Sequence, residues 1–331
     1  MPAYNAARYI GQAIESVLRQ TFSAFELLVI DDGSTDDTAL IVKSFDDPRI
    51  VLVEQRNLGI AVALNNGLMH SRADYIARFD ADDICNEKRL QLQYDFMMKN
   101  PQCIVLGSAA DYVDVKGNFV FSYQPPAFAD QRIKQLPFSI CPFIHSGVLY
   151  KKQIVLAADG YNIHAHSFED HFLWLQIMES GEFYNLPDSL IRVRLNPDSL
   201  TIDEKWRTKE FVSIKYKALK ERKISEQDGE RLVRILQKQN RPKIKNGSYY
   251  ALLSKKYLWN NYQPKMARFN AANALRQDIF DWRSYSIALL SFLPRVFVFR
   301  MYILMKRENA HIENKEIISE KPLVEMEIRE Y

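Results

Sequence analysis

The chain has 331 residues, 47% of them hydrophobic, with 44 Lys and Arg against 41 Asp and Glu for a net charge of +3. That is apolar material for one large or two ordinary domains, and the near balance of charge argues against a nucleic-acid binder. Three widely spaced cysteines, Cys85, Cys103 and Cys141, with no CxxC pair, argue against a disulfide framework or a zinc site and fit a reducing compartment.

In chain order, Ile10, Ala13, Ile14, Val17 and Leu18 fall on one helical face, with Asn5 as the expected N-cap. "FELLVI" (25–30) is a continuously apolar run, as expected of a strand covered on both faces. "DDGSTDDT" is a turn into a helix through Phe45, "RIVLVEQ" a strand, "GIAVALNNGLMH" a helix and "DYIARFD" a strand. A helix from about Glu87 to Lys99 and a strand at "CIVLGS" follow. Strands alternating with helices imply a parallel α/β sheet, whose ligands sit beyond the carboxyl ends of the strands. Both acidic clusters, Asp31-Asp32 and Asp80 to Asp83, fall at such ends.

After about residue 110 the alternation breaks down: "GVLYKK", "EFYNL" and "LIRVRL" read as shorter strands around the helix "SFEDHFLWLQIMES". Residues 203–307 read as helical and basic, and 308–331 as a charged tail. The apolar stretch "SIALLSFLPRVFVFRMYILM" is interrupted by Pro294, Arg295 and Arg300, which makes it a poor spanning helix. Two readings stand: a surface helix with its arginines toward lipid phosphates, or a buried helix pair.

Three clusters carry chemistry. In an extended chain Asp80 and Asp82, two apart, would address one hard divalent cation; otherwise they form a solvated turn in which Asp83 or Asn86 caps the next helix. In "DDGSTDDT" the turn explains Gly33 and part of the acidity, while Asp32 could accept a proton from a base or sugar. Glu169 and Asp170 open a helix, where the dipole favours acids; alternatively Asp170 serves as a general base. No calcium loop, Walker lysine loop or GxGxxG is present.

Seven motifs in order, "PAYNAARYIGQAIESVLRQTF", "FELLVIDDGSTDDT", "RNLGIAVALNNGL", "ADYIARFDADD", "HSGVLYKK", "FED" before "FLWL", and "RVRLNPDSLT", resemble a family 2 glycosyltransferase of the bacterial polysaccharide type over roughly residues 2–201. The resemblance implies the GT-A fold, a Rossmann-like mixed sheet flanked by helices over 1–202, followed by an all-helical extension. It implies inverting transfer of a sugar from a nucleotide-sugar, usually a UDP-sugar, to a saccharide or lipid-linked acceptor. Carried over by motif, Pro2, Ala3 and Tyr4 line the nucleoside pocket, Asp32 binds the uracil edge, and Asn57 and Gly59 flank the nucleotide. Arg78 approaches the diphosphate or ribose, and Asp80 and Asp82 form the D-x-D motif for Mn²⁺ or Mg²⁺, with Asp82 favoured as direct ligand. Asp170 is the catalytic base. A cytoplasmic protein in peripheral contact with the inner membrane face is expected.

Two departures stand out. Where many relatives carry a histidine near the metal, this chain has Asn196, so water or His171 is the expected substitute. Relatives also have an apolar strand before "PxYN", where this chain has only Met1. Such a strand would bury roughly 10 kcal/mol of apolar surface, a sum comparable to a domain's net stability, so the product is expected to begin upstream or to fold poorly. Two other functions fit parts of the pattern, a non-catalytic nucleotide-sugar-binding subunit and a nucleotidyltransferase.

Overall fold

A computed structural model describes residues 1–199 and 201–304; the charged stretch 308–331 lies outside the described residues. The described residues divide into two compact units, one of residues 1–112, 122–194 and 214–233, the other of 113–121, 195–213 and 234–304.

The first unit opens with β1 (Pro2–Ala3), α1 (Ile10–Leu18), β2 (Leu27–Asp31), α2 (Thr38–Lys43) and β3 (Ile50–Glu54). The three strands form a parallel sheet in the order β1-β2-β3, with Leu27 opposite Ile50 and Asp31 opposite Glu54. The predicted face of α1 is buried through Ile10, Ala13, Ile14 and Val17, packed with Leu27, Val29 and Val42. Asn5 is not the cap of α1, which begins five residues later after Tyr9. Instead Asn5 adopts a positive φ of 49° and turns its side chain toward the neighbouring loop.

After α3 (Ile60–His70) and β4 (Tyr75–Ala77) the parallel pattern ends. Only residues 78–83 separate β4 from β5 (Ile84–Cys85), too few for a parallel crossover, so the chain has to turn there. α4 (Arg89–Lys99), β6 (Cys103–Val113), β7 (Phe119–Tyr123), α5 (Asp130–Lys134), β8 (Leu149–Lys151), α6 (Lys152–Ala157), α7 (Glu169–Ile177) and β9 (Glu182–Arg194) follow. The second sheet runs β4-β8-β6-β9-β5, with β7 beside β6. β4 and β6 both pair antiparallel with β8, and β5 pairs antiparallel with β9. "EFYNL" and "LIRVRL" are one strand, β9, rather than two. The core behind this sheet centres on Trp174, wholly buried among Phe143, Tyr150, Tyr161, Leu173 and Phe183.

α8 (Lys209–Glu221) and α9 (Glu226–Gln239) follow, and residues 214–233 of this stretch belong to the first unit. The second unit carries α10 (Pro242–Trp259), α11 (Pro264–Gln277) and α12 (Trp282–Leu290), and residues 295–304 are helical again. α10 and α11 each start on a proline, which supplies the φ of a first helical residue and forgoes a donor that has no partner there. The three helices α10, α11 and α12 pack on one another.

Gly33 occupies the tight turn after β2 with φ of +74°, and a β-carbon there would lie 2.6 Å from the Asn57 backbone nitrogen. Gly33→Ala should therefore cost about 1–3 kcal/mol in urea denaturation, from left-handed strain and the clash together. A loss below about 0.5 kcal/mol would contradict this account of the turn.

Candidate active site

The first half of the site is two turns hydrogen-bonded edge to edge. Asn5 Oδ1 accepts the Thr35 N–H at 2.8 Å, and Ser34 Oγ accepts the Asn5 N–H at 2.9 Å. Thr38 Oγ1 accepts the Ala6 N–H at 2.8 Å, and Asp36 Oδ2 accepts that of Ala7 at 3.1 Å. Asp36 also accepts the Thr38 N–H at 3.0 Å, and Asp31 accepts the Ser34 N–H at 3.1 Å as well as its hydroxyl. Part of the acidity of "DDGSTDDT" is thus structural, as the turn reading expected.

Asp32 is different. Its N–H donates to the Ala3 carbonyl at 2.8 Å, which sets it beside Pro2, Ala3 and Tyr4. Its buried carboxylate accepts the Leu58 and Gly59 N–H groups, each at 2.8 Å, and the Gln55 side-chain amide at 2.7 Å. The loop carrying Asn57 and Gly59 is thereby pinned against the same turn, and Gly59, at φ of +89°, is the last residue before α3. Pro2, Ala3, Tyr4, Asp32, Asn57 and Gly59 converge on one edge of the parallel sheet. Tyr4 is half exposed and Asn57 is exposed, so both are available to a ligand. A carboxylate offers about four acceptor positions, which leaves Asp32 room for one more N–H donor.

The second half is the turn after β4. It is not extended, as the D-x-D argument supposed: the Asp83 N–H points back toward the Asp80 carbonyl at 3.4 Å. The turn gathers three carboxylates rather than two, since ligand oxygens of Asp80, Asp82 and Asp83 lie within 4.8 Å of one another. Nor does Asp83 cap the next helix. One oxygen accepts the Arg194 N–H at 2.8 Å, while the other is buried with no donor at hydrogen-bonding geometry. Burial, and then the charges of Asp82 and Asp80, push the Asp83 carboxyl well above the usual range, against smaller opposing effects of Ser146 and Arg194. Arg78, buried at the end of β4, is ion-paired to Asp80.

Residues far off in sequence shape this loop. Arg194, at the end of β9, donates Nε to the Asp82 carbonyl at 2.8 Å and Nη2 to Gln12 at 2.7 Å, with its guanidinium 4.7 Å from the Tyr9 ring centre. Ser146 Oγ accepts the Asp80 N–H at 3.1 Å. Arg89, 1% exposed, donates to the carbonyls of Arg78 at 2.7 Å and Val148 at 3.1 Å. Sequence reading missed these three. Arg194 lies inside the quoted motif "RVRLNPDSLT" and Ser146 inside "HSGVLYKK", but nothing local marks them as supports for the acidic loop.

Asp170 stands in the first turn of α7, partly exposed. Burial raises its carboxyl above the usual range, against the pull of Arg78 and Lys215. Arg78 therefore acts on Asp80 and on Asp170 alike. Glu169 beside it is 6% exposed, with one oxygen lacking a donor, and is pushed up to about 7 by burial and by Asp170. The Cys141 thiol is 4.0 Å from Asp170 Oδ2. His145 Nε2 is 3.0 Å from the Tyr161 hydroxyl, and burial, followed by Arg78, holds this imidazole well below its usual value.

His171 does not join the carboxylates. It is buried on α7, and burial foremost holds it down at about 3. Asn196 belongs to the second unit, where its side-chain oxygen accepts the Asp198 N–H at 3.0 Å. The donor set that remains fits a hard divalent cation: three carboxylates sharing one corner, one with a buried oxygen that lacks a donor.

Residues 1–156 match the family model "Glycosyl transferase family 2". The amylovoran biosynthesis glycosyltransferase AmsE of Erwinia amylovora is 32% identical over 201 residues, 60% of this chain and 74% of that protein. Residues 1–349 of S. aureus TarS, crystallised with UDP, share the fold with a TM-score of 0.52 at 15% identity, over 93% of this chain and 90% of that one. So does the mannosyltransferase PcManGT of Pyrobaculum calidifontis, solved with GDP-Man and Mn²⁺, with a TM-score of 0.52 at 14% identity over 89% and 85%. The GT-A architecture expected from the motifs is the one observed, and the chain belongs to glycosyltransferase family 2.

Proposed function

We propose that this glycosyltransferase is metal-dependent and inverting, and moves a sugar from a nucleotide-sugar, a UDP-sugar first among the candidates, to a hydroxyl of a saccharide or lipid-linked acceptor. The observation that carries this reading is the shared arginine: Arg78 is paired to Asp80 on the acidic turn and draws on the charge of Asp170 across the same region. A base and a diphosphate platform facing one cation is the arrangement a displacement at an anomeric carbon needs. AmsE, named as a glycosyltransferase of amylovoran biosynthesis, supports a role in polysaccharide synthesis. The ligands of the two structural neighbours, UDP and GDP-Man with Mn²⁺, define the donors to try first.

In this reading the base or uracil edge meets the remaining acceptor capacity of Asp32, with Tyr4 and Asn57 against the nucleoside and Arg78 toward the phosphates. Asp82 and Asp80, with Asp83 behind them, would hold Mn²⁺ or Mg²⁺, which neutralises charge on a departing diphosphate. Asp170 accepts the proton of the acceptor hydroxyl as its oxygen attacks C1 from the face opposite the leaving group, which inverts the centre. Its partial burial keeps its basicity above that of a free carboxylate.

Asp170→Asn should lower kcat by about 10²–10⁴ while leaving donor affinity near wild type, read by UDP release and by calorimetry. Equal loss of donor binding would assign Asp170 to the donor site instead. Asp82→Asn should abolish the gain in donor affinity on adding Mn²⁺, about tenfold or more in the wild type. A mutant that still responds to Mn²⁺ would remove that residue from the cation site. A base must be ionised to act, and burial raises Asp170, so activity should fall as pH drops along an acid limb lying above the ordinary carboxylate range, near pH 4. An acid limb at or below pH 4 in kcat/KM would contradict that assignment.

A further inference from the structure

The described residues leave twenty-five large hydrophobic side chains exposed, and thirteen of them fall between 279 and 304. On α12 they form a stripe: Trp282, Tyr285 and Leu289 are 67%, 49% and 72% exposed, and Phe292 continues the three-four-three spacing at 73%. The opposite side, Ser284, Ile287 and Ser291, is buried. This helix turns its apolar face to solvent, the reverse of an ordinary surface helix. Of the two sequence readings of this stretch, the buried helix pair is the one the exposures disfavour.

The arrangement is anchored within its own unit. Arg268 donates to the Ser291 carbonyl at 2.9 Å and lies 4.5 Å over the Phe292 ring, and the Tyr262 hydroxyl donates to the Leu293 carbonyl at 2.8 Å. In the helical residues 295–304, Val298 is buried and Tyr302 stacks on Trp259 at 5.9 Å. That contact face leaves Phe297 and Phe299 outward.

Charge selects the occupant. From 282 to 304 there are three arginines, Arg283, Arg295 and Arg300, and no Asp or Glu. At the near edge, Lys205 sits over the half-exposed Trp206 at 5.3 Å. Burial first, then Arg283 and Lys255, hold this lysine below its ordinary value against Asp281 and Asp278, which places these cations close together. Among the described residues no helix is long and apolar enough to cross a membrane. Tryptophan, tyrosine and phenylalanine outward, arginines interleaved and acids absent together match the interface of an anionic bilayer, where rings enter the headgroup layer and guanidinium groups meet phosphates.

We propose that the outward face of α12 and the following 294–304 segment is a docking surface for an anionic lipid bilayer. The surface stands independently of the transfer chemistry, because it is read without nucleotide. The test is co-sedimentation of the full chain with vesicles of phosphatidylcholine alone or with three parts in ten phosphatidylglycerol, at low and high salt. Binding should require phosphatidylglycerol and weaken with salt. Arg295→Gln with Arg300→Gln should weaken it by about 25-fold, at about fivefold per arginine. Trp282→Ser, Leu289→Ser and Phe292→Ser together should weaken it by about tenfold or more. Circular dichroism melts and UDP-sugar turnover without lipid establish that each variant is folded. The proposal is overturned by absence of sedimentation, by equal binding to neutral vesicles, or by folded variants that bind like wild type. It is equally overturned if the chain is a dimer in analytical ultracentrifugation that the three serines dissociate, since the face would then cover a second copy.

Discussion

Three carboxylates within 4.8 Å of one another repel, and a loop bearing them opens unless its backbone is held from outside. In this chain the restraint is Arg194, which binds the Asp83 carboxylate through its N–H and the Asp82 carbonyl through its guanidinium. Ser146 secures the Asp80 amide and Arg89 the Arg78 carbonyl, so each part of the turn is fixed by a different element. The antiparallel second sheet brings the end of β9 beside β5, with Cys85 opposite Ile191 and Ile84 opposite Arg192, and so delivers Arg194 to the loop. The fold is in this sense the device that makes a concentrated negative charge tolerable, and a bound divalent cation would complete the compensation that the protein begins.

The same logic separates the two halves of the site. On the side of Asp32, proposed for the nucleoside, polar groups are spent on one another: Asn5, Ser34, Asp36 and Thr38 join two turns, and Asp32 pins a third loop. On the side of the acidic turn and Asp170, proposed for the chemistry, polar groups are left partly unmatched. Asp83 and Glu169 each bury an oxygen without a donor, and Glu169 and Asp170 are both raised by burial. A rigid cradle beside a charged, incompletely satisfied centre is what a transferase requires, since binding has to hold the donor still while the chemistry answers to charge that develops only during transfer.

How much of this could be read from the sequence follows from range. Short patterns were legible: the apolar face of α1, the strand at β2, the helix at α3 and the acids at strand ends each depend on neighbours a few residues away. The ordered motifs pointed to the correct family and fold. What failed to show was long-range. Arg194 and Asp83 are 111 residues apart, and Ser146 and Asp80 are 66 apart, so no local pattern pairs them. The extended D-x-D geometry was wrong because six residues between β4 and β5 impose a turn that residue spacing alone does not reveal. His171 looked available as a ligand only until α7 was seen to bury it. At the C-terminal end the apolar residues were visible, but which sides meet the bundle depends on contacts distant in sequence, Arg268 and Tyr262 at the end of α12 and Trp259 on Tyr302.

In the proposed reaction the acidic turn and Asp170 face one cleft that holds a nucleotide diphosphate and a cation. A crystal grown with UDP and Mn²⁺ and measured for anomalous scattering tests it directly. A manganese peak should lie between the Asp82 and Asp80 side of the turn and the diphosphate, with uracil against Asp32 and the Asp170 carboxylate facing the open end of the diphosphate. Manganese bound elsewhere, or a diphosphate lying away from both the turn and Asp170, would contradict it.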